Sequence, residues 1–391
     1  MITVIKNCFP VFEDKTSAEL TSILIKDGKI ADVDFKGMPP ENAEIIDAKG
    51  GYCLPGFIDL HVHGGGGSDF MDCTLEAFKT ATDTHFEHGT TTLVPTSMTA
   101  SKKDLCDFLQ VYKDFKQSGV SKVNLVGVHF EGPYFSGADP KSRGAQKGNL
   151  LRHPDFEEIS EILAVADGSI LRWDAAPELP NADKFAEIML KNGILPAVAH
   201  TNATGKEAVL GFKNGFSHVT HFYNAVTQYR KVDQTVLAGV VEAAYLNDNV
   251  TLELIGDGCH VPKECLQLAL KIKGAEKVSA ITDGMRLAGT DMKSGKLGSL
   301  KNGTEVITDN GVAKLPDLSS FAGSIATMDR CLRVLYFDYE IPLNITSVML
   351  SGAPARRLGI FDTVGSIAVG KTADLVIANK SLELQQVIKG I

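Results

Sequence analysis

Leu54-Pro55-Gly56-Phe57-Ile58-Asp59-Leu60-His61-Val62-His63-Gly64-Gly65-Gly66-Gly67-Ser68-Asp69 is the stretch around which the rest of the chain is read. Phe57, Ile58, Leu60 and Val62 supply the apolar character of a buried strand. Side chains at i and i+2 of a strand share a face, so His61 and His63 present two imidazoles side by side. The glycines that follow leave the backbone free to turn and let a ligand approach closely. Two histidines in one strand are also compatible with ordinary half-buried positions, so the pair takes its meaning from the residues downstream.

Working outward, the chain alternates strand and helix after residue 54. Expected strands cover 57–63, 90–95, 124–131, 170–177, 194–200, 217–223, 250–256 and 278–283. Helical or irregular connections lie between them at 74–88, 101–117, 155–166, 182–192, 204–213, 235–246 and 262–273. Eight such units are the count of a TIM-like (β/α)8 barrel, which makes the fold α/β. Residues 1–54 read instead as short strands, with Asp27-Gly28 as a hairpin turn between two alternating runs. Beyond the eighth strand come a β-rich stretch at 296–314, helices near 321–338 and 344–351, and a tail at 365–377 that returns to β. The expectation is a barrel over residues 55–354 and a small β-sandwich domain built from 1–54 and 355–391.

The 391 residues are enough for a substantial core, and the formal net charge of -9 with no Lys/Arg cluster argues against a nucleic-acid partner. It does not exclude an anionic small substrate. Seven scattered cysteines with no Cys-x-x-Cys pair point to a reducing compartment. The N-terminus is too soon interrupted by charge to be a signal peptide, and no run approaches a membrane span, so the expected location is the cytoplasm.

Functional side chains of such a barrel sit at the C-terminal ends of its strands. Those ends read His61 and His63; His129-Phe130-Glu131-Gly132-Pro133; His200-Thr201-Asn202; His218-Val219-Thr220-His221; Asp257-Gly258-Cys259-His260; and Thr282-Asp283-Gly284. Glu131 alone reads equally well as a helix cap, His200 as a core histidine and Asp283 as a turn carboxylate. Unrelated structural roles would not gather them all at one rim. His221 fits its strand end better than His218, and His129 reads as structural or as a support behind Glu131. Imidazole plus carboxylate without clustered thiolate suits Zn2+ or Fe2+, with a position left open for water. Such a metal lowers the pKa of its water and polarises a carbonyl, while a free carboxylate, Asp283, accepts the proton and delivers it to a leaving nitrogen.

Pro55-Gly56-Phe57-Ile58-Asp59-Leu60-His61-Val62-His63-Gly64 resembles the opening motif of the amidohydrolase superfamily, and Gly370-Lys371-Thr372-Ala373-Asp374-Leu375-Val376 its closing strand. Within it the chain resembles the N-acetylglucosamine-6-phosphate deacetylase family over essentially its full length. The pieces are Gly127-Val128-His129-Phe130-Glu131-Gly132-Pro133-Tyr134, Ala199-His200-Thr201-Asn202-Ala203, Thr220-His221-Phe222-Tyr223-Asn224-Ala225, Asp257-Gly258-Cys259-His260-Val261 and Ile281-Thr282-Asp283-Gly284.

The resemblance implies metal-dependent removal of acetyl from a phosphorylated N-acetylamino sugar by a homodimer. Glu131, His200 and His221 are then the principal metal ligands, and Asp283 the general base and acid. His61 and His63 are ligands of a second metal bridged by Glu131, so one or two ions per subunit stay open. Asn224, the backbone at Ala225, and His260, implied across the dimer interface, correspond to positions that hold the sugar phosphate; Gln146 stands where some members orient the acetyl carbonyl with a histidine. The Gly-Arg-Glu-Pro-Gly segment that carries a phosphate-gripping arginine is absent, and Arg230, with Lys231 next, is the nearest substitute in Thr227-Gln228-Tyr229-Arg230-Lys231. The same chemistry on N-acetylgalactosamine 6-phosphate or another N-acetylamino sugar is the near alternative. A catalytically silent scaffold is the remote one, marked by lost ligands, of which none is missing here.

Overall fold

The computed structural model describes residues 1–390; Ile391, the last residue of the expected terminal unit, lies outside the described residues. The eight barrel strands are Phe57–Val62, Thr90–Pro95, Val128–Tyr134, Ile170–Ala175, Leu195–Val198, His218–Val219, Thr251–Ile255 and Val278–Ile281. Neighbours pair in parallel. The second strand reaches the third through a Thr96–His129 bridge, and a parallel Val62–Gly284 bridge closes the first strand onto the end of the eighth. The buried Asp59 carboxylate ties the same seam by accepting from the Thr282 hydroxyl and backbone.

Helices follow each strand in turn: Leu75–Glu87, Lys102–Ser118, Phe156–Ala166, Ala182–Lys191, Gly205–Lys213, Val240–Tyr245, Lys263–Lys273 and Met328–Arg333. Several begin where a side-chain oxygen satisfies the free amides of the first turn, as Ser101 does for Asp104, Asp155 for Glu157 and Glu158, and Thr204 with Glu207 in a capping box. Between strands and helices runs a chain of buried rings. Phe78, Phe108, Phe130, Trp173 and Tyr134 meet at centroid distances of 5.8, 6.0, 5.0 and 5.6 Å along that order. Trp173 also donates its indole N–H to the Gly132 carbonyl at 2.9 Å, which pins the end of the third strand.

The small sheet domain is continuous through one shared strand. Ile2–Pro10 pairs with Thr21–Lys26 and Glu44–Asp47 along most of its length, then with Tyr52–Pro55 through Phe9 and Pro10. Tyr52–Pro55 pairs with Leu375–Ala378, and that strand with Leu384–Ile388. Ile5, Ile23, Ile25, Cys53, Leu375 and Ile377 pack in its own apolar cluster. Asp27 and Gly28 adopt φ of 48° and 71°, the left-handed pair a tight hairpin requires.

Three expectations shift. Thr235–Leu237 is not helix but pairs with Arg230–Val232, because Asp233 and Gln234 turn the chain with φ of 45° and 67°; the helix starts at Val240. The helix expected from 321 begins only at Met328. In the tail, residues 365–374 are turns, and the strand is confined to Leu375–Ala378.

His85, on the helix after the first strand, is buried, and its Nε2–H donates to the Gly64 carbonyl at 2.8 Å. Burial pushes its pKa down to about 4. The unfolded chain takes up this proton near pH 6.5, so between about 6.5 and 4 it binds more protons than the folded one. Stability therefore falls as pH drops through that window, by at most ~1.4 kcal/mol per pH unit from this group. His85→Gln keeps a donor and does not titrate. Urea denaturation at about pH 7 and pH 5 should show a smaller loss for the variant than for the wild type, and equal losses would rule out this role.

Candidate metal centre and cleft

Five strand ends bring their side chains to one point. Glu131 lies between two pairs of imidazoles. Its Oε1 is 2.9 Å from His200 Nε2 and 3.1 Å from His221 Nε2, and its Oε2 is 3.3 Å from His63 Nε2 and 3.9 Å from His61 Nε2. Within each pair the Nε2 atoms are 3.0 Å (His200–His221) and 3.2 Å (His61–His63) apart. Two ligand groups result, His61/His63/Glu131 and Glu131/His200/His221, with the glutamate common to both. Asp283 Oδ1 stands 3.4 Å from His61 Nε2 and 3.3 Å from His63 Nε2.

Backbone geometry aims these groups. His200, His221 and Asp283 have φ of 43°, 31° and 49°. Left-handed conformations cost non-glycine residues roughly 1–3 kcal/mol each, and they persist where surrounding structure imposes them, commonly at functional sites.

The donor set fits a divalent cation. His200 Nδ1 donates to the Ser142 carbonyl at 2.9 Å and His221 Nδ1 to the Asn224 carbonyl at 3.0 Å. With those hydrogens on Nδ1, the neutral rings turn two Nε2 lone pairs toward each other and toward a carboxylate oxygen. That arrangement is repulsive unless a cation or extra protons fill the middle. Without a metal, protons fill it. Burial disfavours the charged ring of His221, but the Glu131 carboxylate outweighs burial and raises its pKa to about 9. Burial also works against charge on Glu131, yet the hydrogen bonds from His200, His221 and His63 hold its carboxyl well below the usual range.

Above the cluster the cleft is walled by Lys141, Gln146, Asn224, Ala225, His260 and Phe321. Gln146 accepts from the Thr99 amide at 3.2 Å through Oε1, which leaves its NH2 free to donate. Asp257 accepts from His260 Nδ1 at 2.8 Å, so His260 Nε2 is free, and the ring packs on Phe321. His260 lines the cleft of its own chain. Arg230 is not brought to this wall. The hairpin of Arg230–Val232 and Thr235–Leu237 carries it to a neighbouring hollow, where its guanidinium lies 3.4 Å from the Asn202 carbonyl, and Lys231 is exposed on the same hairpin. Lys141, on the short helix Pro140–Arg143 beyond the end of the third strand, is among the described residues the single Lys or Arg on the cleft wall.

His129 and His218 belong to a buried layer beneath. His129 Nε2 is 2.8 Å from Asp174, and His218 Nδ1 is 2.6 Å from the Thr251 hydroxyl. Burial lowers the pKa of His129 to about 3 and that of His218 below its usual value, so both are neutral. Arg172, Asp174 and Glu253, also in this layer, were not anticipated from sequence. A charged residue on a strand ordinarily reads as facing solvent; the apolar neighbours of Glu253 in Leu252-Glu253-Leu254 were the available signal.

A family model described as the amidohydrolase family matches residues 52–390, and the chain belongs to that family. The N-acetylglucosamine-6-phosphate deacetylase of Bacillus subtilis (strain 168) is 32% identical over 364 residues, 92% of this chain and 89% of that protein. The crystal structure of N-acetylglucosamine-6-phosphate deacetylase from Pasteurella multocida is similar with a TM-score of 0.90 at 26% identity, covering 100% of this chain and 98% of that one. A variant of the enzyme from Mycobacterium smegmatis, solved with N-acetyl-D-glucosamine 6-phosphate, is similar with a TM-score of 0.86 at 27% identity, covering 100% and 98%.

Because His221 holds its proton up to about pH 9 in the metal-free site, a metal must displace it. Calorimetric titration of metal-free protein with Zn2+ near pH 8, in buffers of different ionisation heat, should show net proton release and an apparent affinity that weakens as pH is lowered. Proton-neutral binding would contradict the assignment.

Proposed function

We propose that the chain hydrolyses the acetamide of N-acetyl-D-glucosamine 6-phosphate to acetate and D-glucosamine 6-phosphate, in amino-sugar catabolism in the cytoplasm. The observation that carries this reading is the Asp283 carboxylate poised 3.3 Å from His63 Nε2 beside the doubled histidine cluster, at the floor of a cleft with one lysine on its wall. The similarity to curated deacetylases supports the substrate. No helix among the described residues is long and apolar enough to cross a membrane.

Glu131, His200 and His221 are the ligands of the principal ion, Zn2+ or Fe2+, and His61 and His63 with Glu131 those of a second, so that one or two ions serve each subunit of a homodimer. When bound, a divalent ion of this kind acidifies a coordinated water and polarises the acyl oxygen. The remaining work falls to side chains. In the metal-free cluster burial raises the Asp283 carboxyl, but His61 and His63 outweigh it and hold it below its usual value; as a carboxylate it serves as the base. Asp283 takes a proton from the attacking water as the C–O bond forms, then passes it to the sugar nitrogen as the C–N bond breaks. The free NH2 of Gln146 is placed to donate to the acetamide carbonyl. Asn224, the backbone of Ala225, and His260 face the sugar phosphate, with Lys141 rather than Arg230 as the cationic contact. For the division at residues 54 and 355, the pairing of Tyr52–Pro55 with Leu375–Ala378 supports a small domain drawn from both ends of the chain, while Ala355 and Val364 pack with Ile58, Leu60 and Ile281 of the barrel.

Asp283→Asn should fold, retain its metal and lose about 10^2- to 10^4-fold in kcat. Near-normal turnover by that variant would sink the mechanism. Across a panel of gluco and galacto N-acetyl sugars with and without a 6-phosphate, the phosphorylated gluco sugar should have the highest kcat/KM. Lys141→Ala should raise KM for phosphorylated sugars by about tenfold, equal to ~1.4 kcal/mol, and leave unphosphorylated ones unchanged.

A further inference from the structure

The two halves of the ligand cluster are oriented by different means. His200 and His221 are fixed by backbone carbonyls at 2.9 and 3.0 Å. His61 has no such support. Its Nδ1 is buried without a hydrogen-bond partner, and so is Oε2 of Glu253, on the seventh barrel strand. The two atoms face each other at 3.6 Å, slightly beyond bonding distance. Buried polar atoms without partners are rare and costly, so two complementary ones in apposition form a prepared contact.

Glu253 is not free to turn elsewhere. Its Oε1 is held by the Arg172 guanidinium and lies 3.4 Å from His218 Nε2. Arg172 is on the fourth strand, which is no neighbour of the seventh, so this ion pair crosses the barrel interior. Arg172 is itself seated against Asp174, with Nε 3.3 Å from Oδ1. The His129 ring meets His61 edge-on at 4.6 Å and 85° and limits its tilt from another side.

We propose that Glu253 is a positioning residue for His61: its inward carboxylate oxygen fixes the Nδ1–H tautomer and aims the Nε2 lone pair at His63 and Glu131, so that filling of the second ligand group depends on the ion pairs inside the barrel. A carboxylate behind a ligating imidazole both orients the ring and makes it a stronger donor. The principal group, braced by backbone, does not share this dependence. The inference rests on the metal reading of the cluster. Deacetylation by the wild type tests the functional reading separately, while ion counts and affinities test this one.

The experiment compares wild type, Glu253→Gln and Glu253→Asp, reloaded with Zn2+, by metal analysis and by competition with a chelator of known affinity. Glu253→Gln removes the charge. Glu253→Asp keeps a counter-charge for Arg172 and withdraws the oxygen from His61, so it stays informative if the first variant fails to fold. The expected result is two ions per wild-type chain. In the variants the first ion should be held as in wild type and the second about 10- to 100-fold more weakly. A second ion held with wild-type affinity by a folded variant would overturn the proposal, as would a single ion per chain in saturated wild type. Nitrogen NMR of histidine-labelled, zinc-loaded wild type adds a readout that needs no variant at Glu253. A proton on His61 Nδ1, assigned by loss of the signal in His61→Asn, supports the proposal, and an unprotonated Nδ1 overturns it.

Discussion

One carboxylate sets the terms for everything around it. Glu131 is buried with four imidazole nitrogens within 3.9 Å of its two oxygens, a gathering of acceptors that no stable interior tolerates without positive charge among them. The strained backbone at His200 and His221, the carbonyls behind their rings and the Trp173 indole on the Gly132 carbonyl all hold the gathering in place. The aromatic packing behind the third strand keeps Glu131 from relaxing away from its neighbours.

The charge balance of the interior points the same way. Four buried carboxylates, Glu131, Asp174, Glu253 and Asp283, stand against one buried guanidinium, Arg172, in the space from the cleft floor into the barrel. The histidines are distributed unequally over this field. His63 and His221, aimed at the carboxylates of the cluster, take up protons readily when no metal is there, while His129 and His218 stay neutral and serve as hydrogen-bonding struts. A divalent cation is thus the natural complement of the upper layer, and Arg172 of the lower one.

The barrel and its rim were legible in the sequence because each strand ends in its own punctuation. His61-Val62-His63, Glu131-Gly132-Pro133, His200 and Asp283 lie where strand pattern gives way to turn residues, and the structure brings those ends together. Arg230 was named only as the nearest substitute for an absent arginine, and its position depends on the turn at Asp233 and Gln234, which sets it in the hollow next to the cleft. Lys141 lies on the four-residue helix Pro140–Arg143, too short to show a periodic pattern in the sequence. The pairing of Arg172 with Glu253 was illegible for a deeper reason. Their partnership exists only once the sheet has closed, and a linear pattern carries no sign of which strands will face each other across a barrel.

The strand Tyr52–Pro55 has a consequence for how the chain assembles. It is bordered by Leu375–Ala378, more than three hundred residues later, yet it leads straight into the first barrel strand at Phe57. During synthesis the ribosome releases the opening strands long before their last partners exist, so one edge of the small sheet must wait while the barrel is made. Completion of that sheet is a late, long-range event, and in the interval the edge of Tyr52–Pro55 is open to pairing with another nascent chain.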